Sequence, residues 1–208
     1  MVALDTQDPV KERIIEHSRA RFLTDGFARV SVDEITSELG MSKKTFYKYF
    51  GRKEDLVHLL VTRMIAEIDR RIDAVVTRDV PFPVKLDALV HLVGTVFKTI
   101  SKNMIRDLQT HLPEAWTLIQ NFRRDKIFSM WANMLEEGKR AGYVRPEISQ
   151  RVFLLALTST VEGIVNPKVL TNESFSADEA LENIVTIFLK GILTPKAAGE
   201  LHGFHHNS

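Results

Sequence analysis

The stretch from residue 42 to residue 50, SKKTFYKYF, combines residue types that are well suited to bind a polyanion. Lysine ammonium groups neutralise phosphates, and threonine and tyrosine hydroxyls donate hydrogen bonds to phosphate oxygens. The charge is local, because residues 42–53 contain five Lys and Arg side chains and no Asp or Glu, whereas the whole chain has a net charge of only +1. Three interpretations are open: packed core, a helix that touches a membrane, or a surface that binds nucleic acid.

A helix over residues 43–49 would separate the apolar and polar side chains of this stretch. Phe46 and Phe50 are four residues apart and therefore share one face, which we expect to be buried. The lysines and Tyr47 lie mostly on the other faces. A helix at a membrane surface is usually longer and has a larger apolar face, which disfavours that interpretation. A basic face that is merely solvated remains the alternative to a DNA contact.

The residues just before this stretch favour DNA binding. Ser31 and Glu34 have the spacing of a capping box, which predicts a short helix that begins there and ends at Gly40. Ser42 then caps the next short helix. Two short helices joined by a tight turn form a helix-turn-helix, and in DNA-binding proteins the second helix of this motif enters the major groove.

The rest of the chain predicts an all-α fold, because apolar residues repeat at helical spacing and no segment reads as a strand. Further helices are predicted over residues 9–25, 53–77, 86–100, 103–111, 115–140, 148–165 and 177–192. The two prolines of RDVPFP, residues 78–83, interrupt the pattern and indicate a linker. We predict a helix-turn-helix domain over residues 8–56, a helical ligand-binding and dimerisation domain over residues 57–195, and a C-terminal tail over residues 196–208.

Several classes of function are disfavoured by what the sequence lacks. Without cysteine there is no disulfide, thiolate metal site or cysteine nucleophile. A glycine-rich phosphate loop, a His-x-x-x-His or Glu-x-x-His metal pair and a glycine-flanked serine nucleophile are also missing, so we expect neither an enzyme nor a cofactor. His202, His205 and His206 are interpreted as part of a frayed terminus rather than a metal site. No signal peptide or membrane-spanning run is visible, which predicts a cytoplasmic protein without a membrane partner.

Residues 9–60 resemble the N-terminal domain of the tetracycline-repressor (TetR) family of transcriptional regulators. Phe27 is the aromatic residue that follows the glycine ending the first helix, and Ser31 opens the second helix. The run Ile-x-x-x-x-Gly-x-Ser matches residues 35–42, and Tyr-x-x-Phe-x-x-Lys-x-x-Leu matches residues 47–56. Beyond about residue 80 the resemblance is one of layout, with helices and a break at Gly138, Gly142 and Pro146.

The resemblance implies DNA contacts on and around the helix-turn-helix. Base-edge contacts are expected from the front of the recognition helix, at Ser42, Lys43 and Lys44. Phosphate contacts are expected from Ser31, Thr45, Tyr47, Tyr49 and Lys53, and the charge of Lys48 on the same helix makes it a further candidate. Tyr49 departs from the family pattern, in which many members have histidine. Lys53 would be assisted by the N-terminal dipole of the helix that it opens.

The resemblance also implies a homodimer that binds a palindromic operator in double-stranded DNA, with two recognition helices in successive major grooves. Members of the family usually form the dimer face from their last two long helices. The apolar strips at these positions are Phe153, Leu157, Val161 and Ile164 on one helix and Leu181, Ile184, Val185 and Phe188 on the next. Burial within the monomer is the alternative for these side chains.

The remaining helices are expected to surround a pocket for a small-molecule effector, as in the family. The candidate lining residues are Phe97, Met104, Leu108, His111, Trp116, Phe122, Trp131 and Met134. Their aromatic and methionine content suggests an apolar or aromatic ligand, although each of these side chains could instead be ordinary core.

Together these patterns predict a sequence-specific DNA-binding transcriptional regulator, in the form of a repressor that a small apolar or aromatic ligand releases from its operator. The alternative is a TetR-like architectural or division-linked DNA-binding protein that has no small-molecule effector.

Overall fold

A computed structural model describes residues 8–198, apart from the side chains of Phe97 and Ala198. This part of the chain is all-α, as predicted. Its helices are α1 (Pro9–Asp25), α2 (Val32–Glu38), α3 (Lys43–Tyr49), α4 (Lys53–Val76), α5 (Phe82–Lys98), α6 (Lys102–His111), α7 (Pro113–Phe122), α8 (Phe128–Arg140), α9 (Gln150–Ile164), α10 (Pro167–Leu170), α11 (Ala177–Ile192) and α12 (Pro195–Ala198). His202, His205 and His206 lie outside the described residues.

The ends of the first helices follow local chemistry. The predicted capping box is confirmed, because the Ser31 hydroxyl accepts a hydrogen bond from the Glu34 N–H and the Glu34 carboxylate accepts one from the Ser31 N–H. Gly40, with a φ of 63°, makes the turn between α2 and α3, where a residue with a Cβ would be strained. The boundaries of α1 and α3 are the same as those predicted from the sequence.

Two predicted boundaries beyond α4 were wrong. The helix predicted over residues 115–140 begins at Pro113 and is divided by a π-helical turn over Arg123–Ile127. Such a turn stays within a helical segment and needs no proline or glycine, and residues 123–127, RRDKI, contain neither, so no helix-ending signal marks it. The segment interpreted as a linker starts α5 at Phe82, because Pro83 lies in the first turn, where its missing N–H has no partner to lose.

The chain divides into two compact units. The first contains residues up to Met64 together with Ile100–Leu118, and the second contains Ile65–Thr99 together with the residues from Ile119 onward. This division differs from the predicted boundary after residue 56. The reason is that α6 packs against α1 and is therefore part of the same unit as the helix-turn-helix.

The first unit is held by large apolar side chains from its three N-terminal helices. Ile14, Ile15, Phe22, Ile35 and Phe46 are each at most 1% exposed. Burial of a side chain of this size contributes roughly 1.5–3 kcal/mol relative to exposure. This shared core packs α3 against α1 and α2.

The second unit is a set of packed helices in which α11 lies against α5 and α9, and α8 contacts α5 and α9. Leu86, Leu89, Leu154 and Leu189 are among its buried side chains. Between residues 8 and 198, no helix has both the length and the apolar character needed to cross a bilayer.

Candidate nucleic-acid interface

Helix α3, the predicted recognition helix, is anchored by its two phenylalanines. Phe46 is fully buried and Phe50 is 4% exposed, and their ring centroids are 5.5 Å apart. Ser42 caps the helix, since its hydroxyl accepts a hydrogen bond from the Thr45 N–H at 3.1 Å. The predicted amphipathic character is confirmed, so the polar side of α3 is directed towards solvent by burial of the opposite side.

Three of the predicted DNA-binding side chains on α3 are exposed and have no hydrogen bond or ion pair within the described part of the chain. These are Lys44, Tyr47 and Lys48. The Tyr47 ring packs edge-on against Phe46, with centroids 5.5 Å apart, which fixes the ring and leaves its hydroxyl available. Lys48 lies over the Tyr49 ring, with its Nζ 5.1 Å from the centroid.

Lys43 is already paired with an acid. Its Nζ lies 2.6 Å from Asp33 Oδ1, so the first residue of α3 is linked to the first turn of α2. The hydrogen bond to Asp33 raises the pKa of the Lys43 ammonium, which is therefore charged at neutral pH. Both side chains remain more than half exposed, so this pair can exchange with solvent or with a phosphate.

The hydroxyls of the predicted DNA-binding Ser and Thr residues are already hydrogen-bonded: Ser31 and Ser42 cap helices, and Thr45 contacts Ser42. The Glu34 carboxylate accepts hydrogen bonds from the Ser31 N–H at 2.7 Å and from Ser31 Oγ at 2.8 Å. These two bonds hold the pKa of Glu34 below its usual range. Ser42 Oγ and Thr45 Oγ1 are 3.0 Å apart and share a hydrogen bond. The hydroxyl of Ser31 therefore fixes the start of α2, and those of Ser42 and Thr45 fix the start of α3.

Tyr49 contacts the N-terminus of α1. Its hydroxyl donates a hydrogen bond to Asp8 Oδ2 at 2.5 Å, while Asp8 Oδ1 caps α1 by accepting from the Val10 N–H at 2.9 Å. The hydrogen bond from Tyr49 lowers the pKa of Asp8, and the same bond raises the pKa of Tyr49. Tyr49 therefore ties α3 to the start of α1.

Lys53 supports the loop between α1 and α2. Its Nζ donates to the carbonyls of Phe27 at 2.7 Å and Val30 at 2.9 Å, and it lies 5.7 Å from the centroid of the Phe27 ring. An ammonium has three N–H donors, so one donor remains for a phosphate. The side chain is half-buried and fixes the start of α4 against this loop.

Arg29 is an exposed cation near the helix-turn-helix that the sequence patterns did not single out. It is exposed in the loop that precedes α2 and makes no ion pair with any residue the structure describes. The signal available in the sequence was its position two residues before the cap Ser31. A guanidinium at the edge of a helix-turn-helix is well suited to a bidentate phosphate contact.

The eight residues predicted to line a ligand pocket are divided between the two units. Met104 and Leu108 are each 3% exposed within the first unit, where the exposed His111 ring packs edge-on against Phe27. Trp116 is half-buried in the same unit, Phe122 is half-buried in the second unit, and the side chain of Phe97 is outside the described part.

Trp131 and Met134 do line a common cavity, which lies inside the second unit. Its walls are apolar and its volume is about 10 Å³, about the space of one water molecule. The other lining residues are Phe82, Leu86, Leu135, Val144, Leu189, Ile192 and Leu193. Ligand sites for small molecules occupy roughly 300–1,000 Å³, so a ligand here would require these side chains to move.

The apolar strips predicted at a dimer interface are largely buried inside the monomer. Phe153, Leu157, Leu181, Ile184 and Val185 are each at most 7% exposed, because α11 packs against α5 and α9. Val161, Ile164 and Phe188 are half-buried, and the Phe188 ring packs edge-on against Phe153.

A different set of apolar side chains on the same two helices is exposed. Val152 is 64% exposed and Leu155 is 52% exposed on α9, and Ile187 is 68% exposed on α11. Ala156, Ser159 and Gly163 are also exposed on α9, where their small size permits a second helix to approach closely. We call the surface formed by Val152, Leu155 and Ile187 the α9–α11 patch.

Residues 14–60 match the model of the family described as bacterial regulatory proteins, tetR family. The HTH-type transcriptional regulator YvaF of Bacillus subtilis (strain 168) is 21% identical over 195 residues, which cover 90% of this chain and 97% of that protein. The HTH-type transcriptional repressor DhaR of Mycobacterium sp. (strain GP1) is 20% identical over 192 residues, or 89% of this chain and 93% of that protein.

Solved structures share the fold. The ketosteroid transcriptional regulator KstR2 of Mycobacterium tuberculosis superposes with a TM-score of 0.61 and 19% identity, and the match covers 93% of this chain and 100% of that one. At this level of identity the likeness concerns the arrangement of helices alone.

Proposed function

We propose that the chain is a DNA-binding transcriptional regulator of the tetR family, and that it acts as a homodimeric repressor released from its operator by a small apolar or aromatic ligand. The single observation that carries the DNA-binding part is the construction of α3. Buried Phe46 and Phe50 hold the helix, and Lys44, Tyr47 and Lys48 extend from its exposed side without internal partners.

These three side chains have complementary roles in the proposal. Lys44, near the front of α3, reaches base edges or phosphates, and an ammonium hydrogen-bonded to guanine contributes roughly 1–3 kcal/mol of discrimination. The Tyr47 hydroxyl donates to a phosphate, and Lys48 neutralises another. Lys43 and Lys53 contribute after rearrangement, because part of their hydrogen-bonding capacity is already used. Arg29 adds a phosphate contact from the loop.

The α9–α11 patch is the proposed dimer interface. Large apolar side chains that are more than half exposed are usual at surfaces covered by a partner. A second copy of the chain is the expected partner, because two-fold packing of α9 and α11 would form a four-helix bundle. A dimer also matches a palindromic operator, since it presents two recognition helices related by the same symmetry.

Release by a ligand follows from a shift between two conformations. A ligand that binds more tightly to the form with badly spaced recognition helices lowers the affinity for the operator by its differential binding energy. α4 is the candidate for transmitting the change, because its residues up to Met64 belong to the first unit and those from Ile65 to the second. The apolar cavity beside Trp131 and Met134 is the proposed starting point of the ligand site. Repression is proposed by analogy with DhaR, which is described as a repressor. An apolar ligand is proposed by analogy with KstR2, which is described as a ketosteroid transcriptional regulator.

The test is fluorescence anisotropy of the purified protein with the intergenic DNA beside its own gene, measured across a salt series. We expect tight binding, and weaker binding with a shallower salt slope for Lys44→Ala. Tyr47→Ala should also bind more weakly. Lys168→Ala, which removes an exposed lysine from α10 in the second unit, is the matched control and should bind as the wild type does. Equal affinities for this DNA and for a scrambled duplex would contradict a specific site there.

Ligand release needs its own assay. A fluorescent apolar probe such as 1-anilinonaphthalene-8-sulfonate should bind the second unit, and substitution of Trp131 by Ala should change that binding. Compounds that displace the probe are then added to the protein–DNA complex. A loss of anisotropy supports release, whereas displacement of the probe without any loss of DNA binding would contradict it.

A further inference from the structure

The ion pair between Asp33 and Lys43 joins the two helices of the helix-turn-helix on their exposed side. Lys43 Nζ is 2.6 Å from Asp33 Oδ1, and the two side chains are 59% and 64% exposed, respectively. We propose that Asp33 competes with DNA for the Lys43 ammonium and so restrains binding to non-specific sequences. This inference rests on the proposed use of α3 as the recognition helix.

The pair is poorly placed to stabilise the fold. Ion pairs this exposed contribute little to stability, because water screens the charges and two long side chains lose freedom. The arrangement of α2 and α3 is already fixed by the buried Ile35 and Phe46. Removal of the Asp33 charge should therefore leave the fold intact, which makes its effect on DNA binding measurable.

Asp33 is distinct among the acids around the helix-turn-helix. Glu34 is held by Ser31, Glu38 by His17 and Arg21, and Asp55 by Arg52. Asp8 does contact α3, but through the hydroxyl of Tyr49 rather than through a lysine. Within the described part of the chain, Asp33 forms an ion pair with a lysine of α3, namely Lys43. It neutralises that lysine at the front of α3, where the family resemblance implies a contact with base edges.

The physical consequence concerns how Lys43 and Lys44 differ. Lys44 has no ion pair among the described residues, so it can bind a phosphate without first breaking another contact. Lys43 must exchange one anion for another, and the released Asp33 carboxylate is then close to the polyanion and repelled by it. Non-specific phosphate contacts therefore gain little from Lys43. A site that gives Lys43 a well-aligned base acceptor offsets the exchange, so Asp33 increases the ratio of specific to non-specific affinity.

The experiment compares Asp33→Asn with Glu38→Gln, since each removes one negative charge from α2 and only the first frees a lysine of α3. Anisotropy is measured with a duplex enriched by the wild-type protein from a random library and with a scrambled duplex, across a salt series. For Asp33→Asn we expect affinity for the scrambled duplex to rise roughly two- to fivefold. The salt slope should steepen by about 0.9 for each additional phosphate contact. The enriched duplex should gain less, so that specificity falls. Glu38→Gln should leave the specificity ratio unchanged.

A double-mutant cycle separates competition from a general effect of charge. In a Lys43→Met background, Asp33→Asn should no longer change the specificity ratio. An equal change in that background would overturn the proposal, because Asp33 would then act only by repelling DNA. Weaker binding of the enriched duplex by Asp33→Asn would also overturn it, since Asp33 would be positioning Lys43. Circular dichroism of all variants checks the fold.

The failure of this proposal is distinguishable from failure of the proposed function. If Lys44→Ala and Tyr47→Ala weaken DNA binding while Asp33→Asn leaves the specificity ratio unchanged, DNA binding by α3 stands and the role of Asp33 is wrong. If neither Lys44→Ala nor Tyr47→Ala affects binding, the use of α3 itself is wrong, and the proposal for Asp33 falls with it.

Discussion

The carboxylate of Asp107 accepts a hydrogen bond from the backbone N–H of Ala28 at 2.9 Å, across 79 positions of the sequence. Asp107 lies on α6 and is 1% exposed, and Ala28 lies in the loop between α1 and α2. Nearby, the Ser101 N–H donates to the Leu23 carbonyl at 2.9 Å. These contacts join α6 to the loop that precedes the helix-turn-helix, and they explain why residues 100–118 fold with the first unit.

Replacement of Asp107 by Ala should destabilise the first unit, because the Ala28 N–H loses its acceptor. We expect the free energy of unfolding, measured by urea titration, to fall by about 1–3 kcal/mol. Asp107→Asn is the matched control, since its amide oxygen can still accept from Ala28, and it should lose less. An equal loss in the two variants would show that the negative charge matters rather than the hydrogen bond.

Gly26→Ala should also destabilise the protein, because the backbone there is in a region used almost only by glycine. Gly26 has a φ of 84° and a ψ of 147°, and a Cβ at this position would lie 2.5 Å from Asp107 Oδ2. The backbone strain alone should cost about 1–3 kcal/mol in urea denaturation. Gly94→Ala on α5 is the control, because a Cβ there meets nothing within 4 Å and it should be neutral or stabilising. Similar stabilities for the two variants would contradict this account of Gly26.

The hydrogen bond from Tyr49 to Asp8 should make stability depend on pH at both ends of the scale. The pKa of Asp8 is lowered from 3.8 in the folded state, so its contribution is present above that value and is lost as the pH falls through the folded pKa. The pKa of Tyr49 is raised from 10.0, so its contribution is present below that value and is lost as the pH rises through the folded pKa.

The measurement is the melting temperature of Tyr49→Phe and of the wild type across pH. The wild type should melt higher between these two limits, and the difference should shrink outside them. Tyr47→Phe removes a hydroxyl that has no hydrogen bond in the described structure, so it should show no such window. A difference for Tyr49→Phe that is constant at all pH values would rule out the Asp8 contact as its cause.

Substitution of the α9–α11 patch should convert the proposed dimer to a monomer. Ile187→Lys and Leu155→Lys place a charge on exposed apolar positions, so they should disrupt an interface with little effect on the monomer fold. Sedimentation equilibrium should give a dimer for the wild type and a monomer for each variant. Val84→Lys on α5, where the side chain is 50% exposed, is the control and should remain dimeric. A dimer that survives both substitutions would place the interface elsewhere.

The N-terminal helices were predictable because their signals are local. Ser31 with Glu34, Gly40 and Ser42 specify where helices begin and end through contacts within a few residues. Phe46 and Phe50 specify the buried face of α3 through their spacing alone. The same local patterns carry the resemblance to the tetR family, whose model matches residues 14–60, so the motif could be predicted from the sequence.

Tertiary structure decided which functional groups of that motif have partners. Lys43, Tyr49 and Lys53 look alike in the sequence as donors for phosphate, yet each contacts a residue at least ten positions away. Asp33, Asp8 and the Phe27 carbonyl become their partners only when the helices pack. The sequence contains no periodic or local signal for such pairs, because ion pairs and hydrogen bonds of this kind depend on distances between elements.

The same distinction applies to the second half of the chain. The sequence by itself determined that α9 and α11 are helices with apolar sides, since period 3.6 is a property of one element. Only the packed structure decided that Phe153 and Leu181 face the chain's own core while Val152 and Ile187 face outward. A helix with apolar residues on more than one side can turn either side towards a neighbour, and the positions of its neighbours determine which side is buried.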